Sequence, residues 1–349
     1  MQRALATALA ALALPIGWPH HVALGLSDGP GDAGAARREA SFDARYQYLA
    51  GGVNTGSGWS TWNPDGSFVT RYVRESLAVH MIPVFTYYQL LQSRPAAGGS
   101  EATRDTSNLR NAATMQAYWR DFALLLRRIR GAAGGRLVVV HVEPDLWGYL
   151  EQGGQVALAR RFAHRVVTLR DRIAPHVALA WHLSVWGTRE DPTYSKPSLA
   201  HMDALAARSA RFYRSLHARF DLVFNDVTDR DAGFYATTEG NPRTAWGPAD
   251  FARHTRYIRR FSTATGEPVV LWQLPLGNTG LDDTWGRFRD NRVQWWLGDR
   301  AHMRAEQAAG VVGLLFGGGA AGTTSPRTDG GLFFRLARRY LANPVPLRR

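Results

Sequence analysis

The sequence predicts an α/β fold: a closed, TIM-like (β/α) barrel of seven or eight parallel strands in a single domain. Three observations carry that expectation. Short apolar, β-branched runs alternate with amphipathic helical stretches seven or eight times, the pattern of a parallel sheet covered by helices. The chain has 349 residues, 45 % of them hydrophobic, enough for one large core, and no linker divides it. No phosphate-binding glycine loop follows a strand run; the first ends in Leu26-Ser27-Asp28-Gly29-Pro30-Gly31, with proline where backbone donors would be needed. A nucleotide-binding sheet is thereby disfavoured, and no cofactor is expected.

In chain order, residues 1–14 read as a short secretory leader: Met-Gln-Arg, an apolar Ala/Leu stretch, and small residues for cleavage near Ala11 or Ala13. The barrel then occupies 18–349, and a secreted, monomeric protein is expected. Strands are predicted at 21–26, 46–50, 82–88, 137–142, 177–183, 222–225, 269–273 and 311–316. Valine, isoleucine and leucine fill these runs with few polar interruptions, as strands covered on both faces require. Helical periodicity marks 115–130, 156–173, 199–219, 248–263 and 293–309 between them. No later stretch has the apolar length of a membrane span.

Composition narrows the function. Cysteine is absent, which excludes thiol catalysis, disulfides and thiolate metal sites. The formal charge is +13, but Lys196 is the only lysine, and the arginines are scattered along helices without a basic tail or zinc-finger spacing. That charge reads as a solvated surface suited to an acidic polymer or a cell wall, not as a nucleic-acid interface.

The chemistry is expected at Leu137 to Tyr149, a buried-strand run that breaks into Glu143-Pro144-Asp145. In parallel α/β folds the carboxyl end of the strands is the functional end. Tryptophans crowd the loops on that side: Trp59 and Trp62 after the second strand, Trp147 after the fourth, Trp186 after the fifth, Trp246, and Trp285 after the seventh, with Trp272 on the seventh itself. Each ring alone is well explained by packing. Together, at one end of a barrel, indole faces suit the apolar faces of sugars, and a polysaccharide or oligosaccharide is the expected partner.

Val139 to Gly148 resembles the Glu-Pro-Asp signature of glycoside hydrolase family 6, the barrel cellulases and cellobiohydrolases, with His141 and Trp147 departing from it. Pro83 to Tyr88 resembles the family's preceding strand, and Trp272 to Gly280, Gly318-Gly319 with Gly322-Thr323-Thr324, and Gly331 to Pro344 resemble later pieces in the same order. The likeness runs from about Ile82 onward, and only the Glu-Pro-Asp segment is specific. It implies a saccharide-handling barrel. Where the family carries its acid aspartate, this chain reads Gln89-Leu90-Leu91-Gln92-Ser93-Arg94, and in the last-strand loop with the family's base it reads Gly319-Ala320-Ala321-Gly322. The family's carboxylate pair is therefore missing, and only Asp145, with its neighbour Glu143, transfers by position. The Glu-Pro pair also resembles the acid/base motif of the large retaining clan, with Val142 replacing asparagine and Gln273 standing where that clan has its nucleophile.

Glycoside cleavage needs one protonated carboxyl and a second carboxylate across the sugar. Glu143 is the expected proton donor and Asp226, ending the sixth strand, the expected base or nucleophile. Asp145 and Asp229 are further candidates, with helix capping an equal reading. Asp231 stands beside Asp229 as a candidate second carboxylate, and Asp28, also a candidate for substrate binding, and Asp105 are reserves; Asp231 and Asp105 are more readily explained as caps or ion-pair partners. His141, His182, Asn54, Asn225, Gln273 and Asn278 are expected to line the cleft or bind hydroxyls. A metal centre on His141, Glu143 and His182 is the weakest alternative, since the spacing lacks a metal-binding pattern, and no metal is expected. A catalytically silent glycan-binding barrel is the other.

Overall fold

The computed structural model describes residues 12–96 and 98–347, so most of the leader-like stretch lies outside the described residues. Eight strands form a closed ring: β1 (Ala23–Ser27), β2 (Ala44–Ala50), β3 (Ile82–Tyr88), β4 (Val138–Val142), β5 (Val177–Leu183), β6 (Leu222–Asp226), β7 (Val269–Leu274) and β8 (Val311–Phe316). Every neighbouring pair is parallel, and β8 returns to β1 with Gly313 opposite Ala23. All eight carboxyl ends therefore open on one rim.

Period-two alternation divides the strand side chains into two cores. Tyr46, Val84, Val139, Ala180, Phe224, Val270 and Leu315 fill the barrel interior. Val138, Val140, Val142, Trp181, Leu271 and Phe316 face outward, against the helices. At the opposite rim, Trp18 donates its indole N–H to Val312 O at 3.2 Å, and Tyr340 of the last helix donates to Val22 O at 2.7 Å.

Differences from the predicted elements have local causes. β2 starts two residues early because Arg45, polar in the sequence, is fully buried against Asp28 at 2.9 Å and over the Tyr72 ring at 4.0 Å. His21 pairs only in an isolated bridge with Pro346, so β1 begins at Ala23. The helix predicted at 293–309 is two helices, Arg292–Gly298 and Arg300–Ala308, broken at Asp299, whose side chain accepts from Ala301 N at 2.7 Å. The helix predicted at 199–219 stops at Ser215. No helix among the described residues is long and apolar enough to cross a membrane.

Candidate active site

At the carboxyl rim lies a cleft of about 590 Å³ to which every strand except β1, or the loop behind it, contributes. Alternation alone delivers several of its walls. With Tyr46, Val84, Ala180, Phe224 and Val270 pointing inward, the inward positions nearer the rim include Tyr48, Tyr88, His182, Asp226 and Trp272, and all five line the cleft.

Two positions break the alternation. Glu143 should follow Val139 and His141 inward, but it adopts φ 45°, a left-handed conformation, and the chain turns directly into the helix Pro144–Gln152. Its carboxylate swings outward under the loop after β3, where Oε1 accepts from Gln89 N at 3.0 Å and Oε2 from Leu90 N at 3.2 Å. Glu143 is fully buried and does not reach the cleft. Burial pushes its carboxyl up to about 8, against the opposing pull of those backbone donors and the Tyr118 hydroxyl. The residue expected as proton donor thus lies beneath the loop after β3, bonded to its backbone and off the cleft. The same turn points Asp145, in the first turn of the helix, into the cleft. Gln273 is the second exception: at φ 59°, with a register shift between Leu271 and Leu274, it turns from the outer face into the cleft and donates to the Tyr48 hydroxyl at 2.7 Å.

Asp145 accepts from the Tyr88 hydroxyl at 2.8 Å. Burial raises its carboxyl above the ordinary aspartate range; His182 opposes that rise and the nearby charge of Asp226 adds to it. Asp226 Oδ1 is bonded to His182 Nε2 at 3.0 Å, and His182 Nδ1 to His141 Nε2 at 3.0 Å. His141 is fully buried beneath the cleft floor, and burial, reinforced by His182, holds its ring well below the usual histidine range and so neutral. Asp229 accepts from Arg230 at 2.7 Å and from the Tyr235 hydroxyl.

Glu101, Asp145, Asp191, Asp226 and Asp229 place five carboxylates on the cleft, and among the described residues no arginine or lysine lines it, although the chain carries 42 basic residues. Trp186 forms one wall, its ring 4.9 Å from Tyr149.

Of the residues expected from sequence, Asp145, Asp226, Asp229, His182, Trp186, Trp272 and Gln273 meet on this cleft. The others do not. Trp147 is fully buried, donates to Val142 O at 2.8 Å and packs on Phe162, Trp181 and Phe220, because it falls on the inward stripe of its helix. Trp59 is buried and donates to Asp121 at 2.7 Å. Trp62 packs edge-on to Phe68 and Trp246 edge-on to Phe251, both off the cleft. Trp285 is 71 % exposed and also stands off the cleft.

Asn54 ties a loop, accepting from Arg94 N and donating to Arg94 O, both at 2.8 Å. Asn225 spans from Leu183 O to His254, and Asn278 donates to Asp329 O. Asp28 is the partner of Arg45. Asp231 is buried and accepts from Gly277 N and Thr324 N, pinning two loops. Asp105 is buried in its helix, where burial and the charges of Glu143 and Asp145 push it up to about 9. Among the described residues no three His, Asp or Glu side chains come together as a metal site, and Glu143 turns away from the two histidines.

Sequence reasoning missed the tyrosines. Tyr48 and Tyr88 were legible as inward positions on β2 and β3; Tyr149, Tyr194 and Tyr235, in the helices and loops behind the strands, carried no signal.

No protein family profile matches the sequence, and no curated protein does. The fold has solved relatives. An endo-β-1,4-mannanase of glycoside hydrolase family 26 from Cellulomonas fimi superposes with a TM-score of 0.57 at 14 % identity, over 91 % of this chain and 70 % of that one. A family 53 catalytic domain from Ignisphaera aggregans gives 0.53 at 9 % identity, over 94 % and 99 %. A family 5 xyloglucan-specific β-1,4-glucanase from a ruminal metagenomic library gives 0.50 at 12 %, over 91 % and 88 %. A family 6 enzyme from Orpinomyces reaches only 0.41, too low to argue from. The likeness in fold is thus to glycoside hydrolase barrels of families 26, 53 and 5.

Proposed function

We propose that the protein is a glycoside hydrolase that cleaves a polysaccharide with Asp145 as proton donor and Asp226 as the second carboxylate. The observation that carries this reading is the pairing of two acids with opposite surroundings in one aromatic cleft. Asp145 is desolvated, which raises its carboxyl above the ordinary aspartate range, while Asp226 is bonded to an imidazole. The solved barrels of similar fold, among them an endo-β-1,4-mannanase and a xyloglucan-specific β-1,4-glucanase, support the substrate class.

In the proposed reaction the Asp145 proton passes to the glycosidic oxygen as its bond to the anomeric carbon breaks. Water attacks that carbon and gives its proton to Asp226, which makes one new hydroxyl and one new reducing end. Trp186 supplies a stacking face, and Trp272 an aromatic surface at the end of β7. Five carboxylates, of which Asp229 is paired with Arg230, give the cleft an excess of acidic over basic groups that disfavours polyanions, so the chain bound there is neutral or cationic whatever the outer arginine surface attracts. We further propose that the protein is secreted and acts as a monomer.

The test is release of reducing ends from a panel of neutral β-linked glucans, mannans and xyloglucan, and from chitosan. Release by the wild type, lost in D145N, supports the reading. Binding without release favours the silent glycan-binding barrel, for which the amide of Gln273 at the end of β7 is the specific observation.

A further inference from the structure

We infer that His182, held in turn by His141 and Thr86, is a positioning residue that fixes Asp226 as a carboxylate with one oxygen committed and the other free for the cleft. The inference rests on the glycoside hydrolase reading and deepens it by naming what prepares the second carboxylate.

Four polar groups from four consecutive strands form one line. Thr86 Oγ1 on β3 lies 3.4 Å from His141 Nδ1 on β4. His141 Nε2 lies 3.0 Å from His182 Nδ1 on β5, and His182 Nε2 lies 3.0 Å from Asp226 Oδ1 on β6. The strand register builds this line, with Thr86 opposite His141, Ala180 opposite Leu222 and His182 opposite Phe224, so the inward side chains step up the barrel wall.

Hydrogen-bond chemistry orients every proton in the line. An ionised carboxylate only accepts, so His182 Nε2 carries the proton. In a neutral ring Nδ1 then accepts, which puts the His141 proton on Nε2, and His141 Nδ1 accepts from the Thr86 hydroxyl. With both rings neutral, every group in the line is satisfied. No other assignment keeps Asp226 ionised with both rings neutral and all three bonds intact. The titratable groups facing His182 are His141 from β4, Asp226 from β6 and Asp145 from the turn behind β4; β7 presents only the Trp272 ring, 5.8 Å away. Phe224 and Trp272 also close on His141, at 4.6 and 4.7 Å, which excludes water from the lower half of the line.

Two measurements test this. In protein labelled with ¹⁵N-histidine at about pH 8, both rings should appear as neutral Nε2–H tautomers. D226N should perturb the His182 resonances most, and a His182 ring protonated on Nδ1 alone overturns the inference whether or not the protein turns over substrate. In kinetics on the glycan that the wild type cleaves, H182A should lower kcat by about 10²-fold through a misplaced carboxylate, with little change in KM.

The acidic limb of the pH profile should move in H182A, and H182Q, which restores an N–H donor, should recover most of the rate. H141Q, which retains a donor toward His182, should stay near wild type while H141L behaves like H182A; this pair decides the matter if H182A does not fold. Unchanged kcat and an unmoved limb in H182A, with D226N inactive, overturn the positioning role alone. Full activity in D226N overturns the hydrolase assignment instead.

Discussion

At the scale of single residues, what separates a carboxyl buried beneath a loop from one that faces the cleft is a single backbone angle. Glu143 and Asp145 are two positions apart, and the left-handed turn at Glu143 sends the first under a loop and the second into the cleft. Because both Glu143 oxygens accept from backbone N–H groups, Glu143→Gln leaves one buried N–H facing an amide donor, a loss of about 1–3 kcal/mol. A fall in thermal midpoint, read by calorimetry with D145N as the reference that keeps its midpoint, is the expected result. Nothing in a one-dimensional pattern announces that turn. Strand periodicity carries Val139 and His141 inward and predicts the same for Glu143, so the acidic pair was legible as a location but not as a division of labour.

At the scale of elements, the strands were legible nearly to the residue, because covered parallel strands are written as uninterrupted β-branched runs between helices. Inward positions such as His182, Asp226 and Trp272 followed from them. The tryptophans were less legible, since a ring just beyond a strand end lies equally near a cleft and a core.

Trp147 and Trp186 illustrate the outcome and can be separated experimentally. Trp147→Ala, in the core between sheet and helices, should cost about 3–5 kcal/mol of stability. Trp186→Ala should leave the midpoint nearly unchanged and raise KM roughly fivefold, about 1 kcal/mol of lost stacking. Denaturant unfolding and steady-state kinetics on both variants distinguish the two roles. The loop behind β8 contributes by lacking a side chain: a methyl group at Gly319 would collide with Gln273 Nε2 and press on Asp229. Gly319→Ala should therefore narrow the cleft, with a loss of kcat/KM and a retained circular dichroism spectrum.

At the scale of the whole molecule, the charge is divided between an arginine-rich exterior and a carboxylate-lined cleft, and burial has raised several acids beyond that cleft. Asp105 is pushed up to about 9, Glu143 to about 8, and Glu151, Asp231 and Glu306 to about 7, in each case chiefly by burial. Folded pKa values above the unfolded ones mean that the native state binds the extra protons. This stabilisation is complete below the unfolded carboxyl range and is lost as pH rises through the folded values. The thermal midpoint should thus decline between about pH 5 and about pH 9, and a midpoint that rises over that interval would contradict the assignment of these acids.

Closure of the ring was foreseeable from chain length and strand count. The assignment of catalysis to Asp145 and Asp226 required the geometry, because only the folded barrel brings the helix start behind β4 beside the end of β6.

The central claim is that these two aspartates form the acid and base of a glycan-cleaving site, and reducing-end release by wild type, D145N and D226N from one shared glycan tests it most directly. The account predicts turnover by the wild type and losses of about 10²- to 10⁴-fold in each variant, with unchanged thermal midpoints and retained glycan binding. Undiminished release by either variant would contradict it.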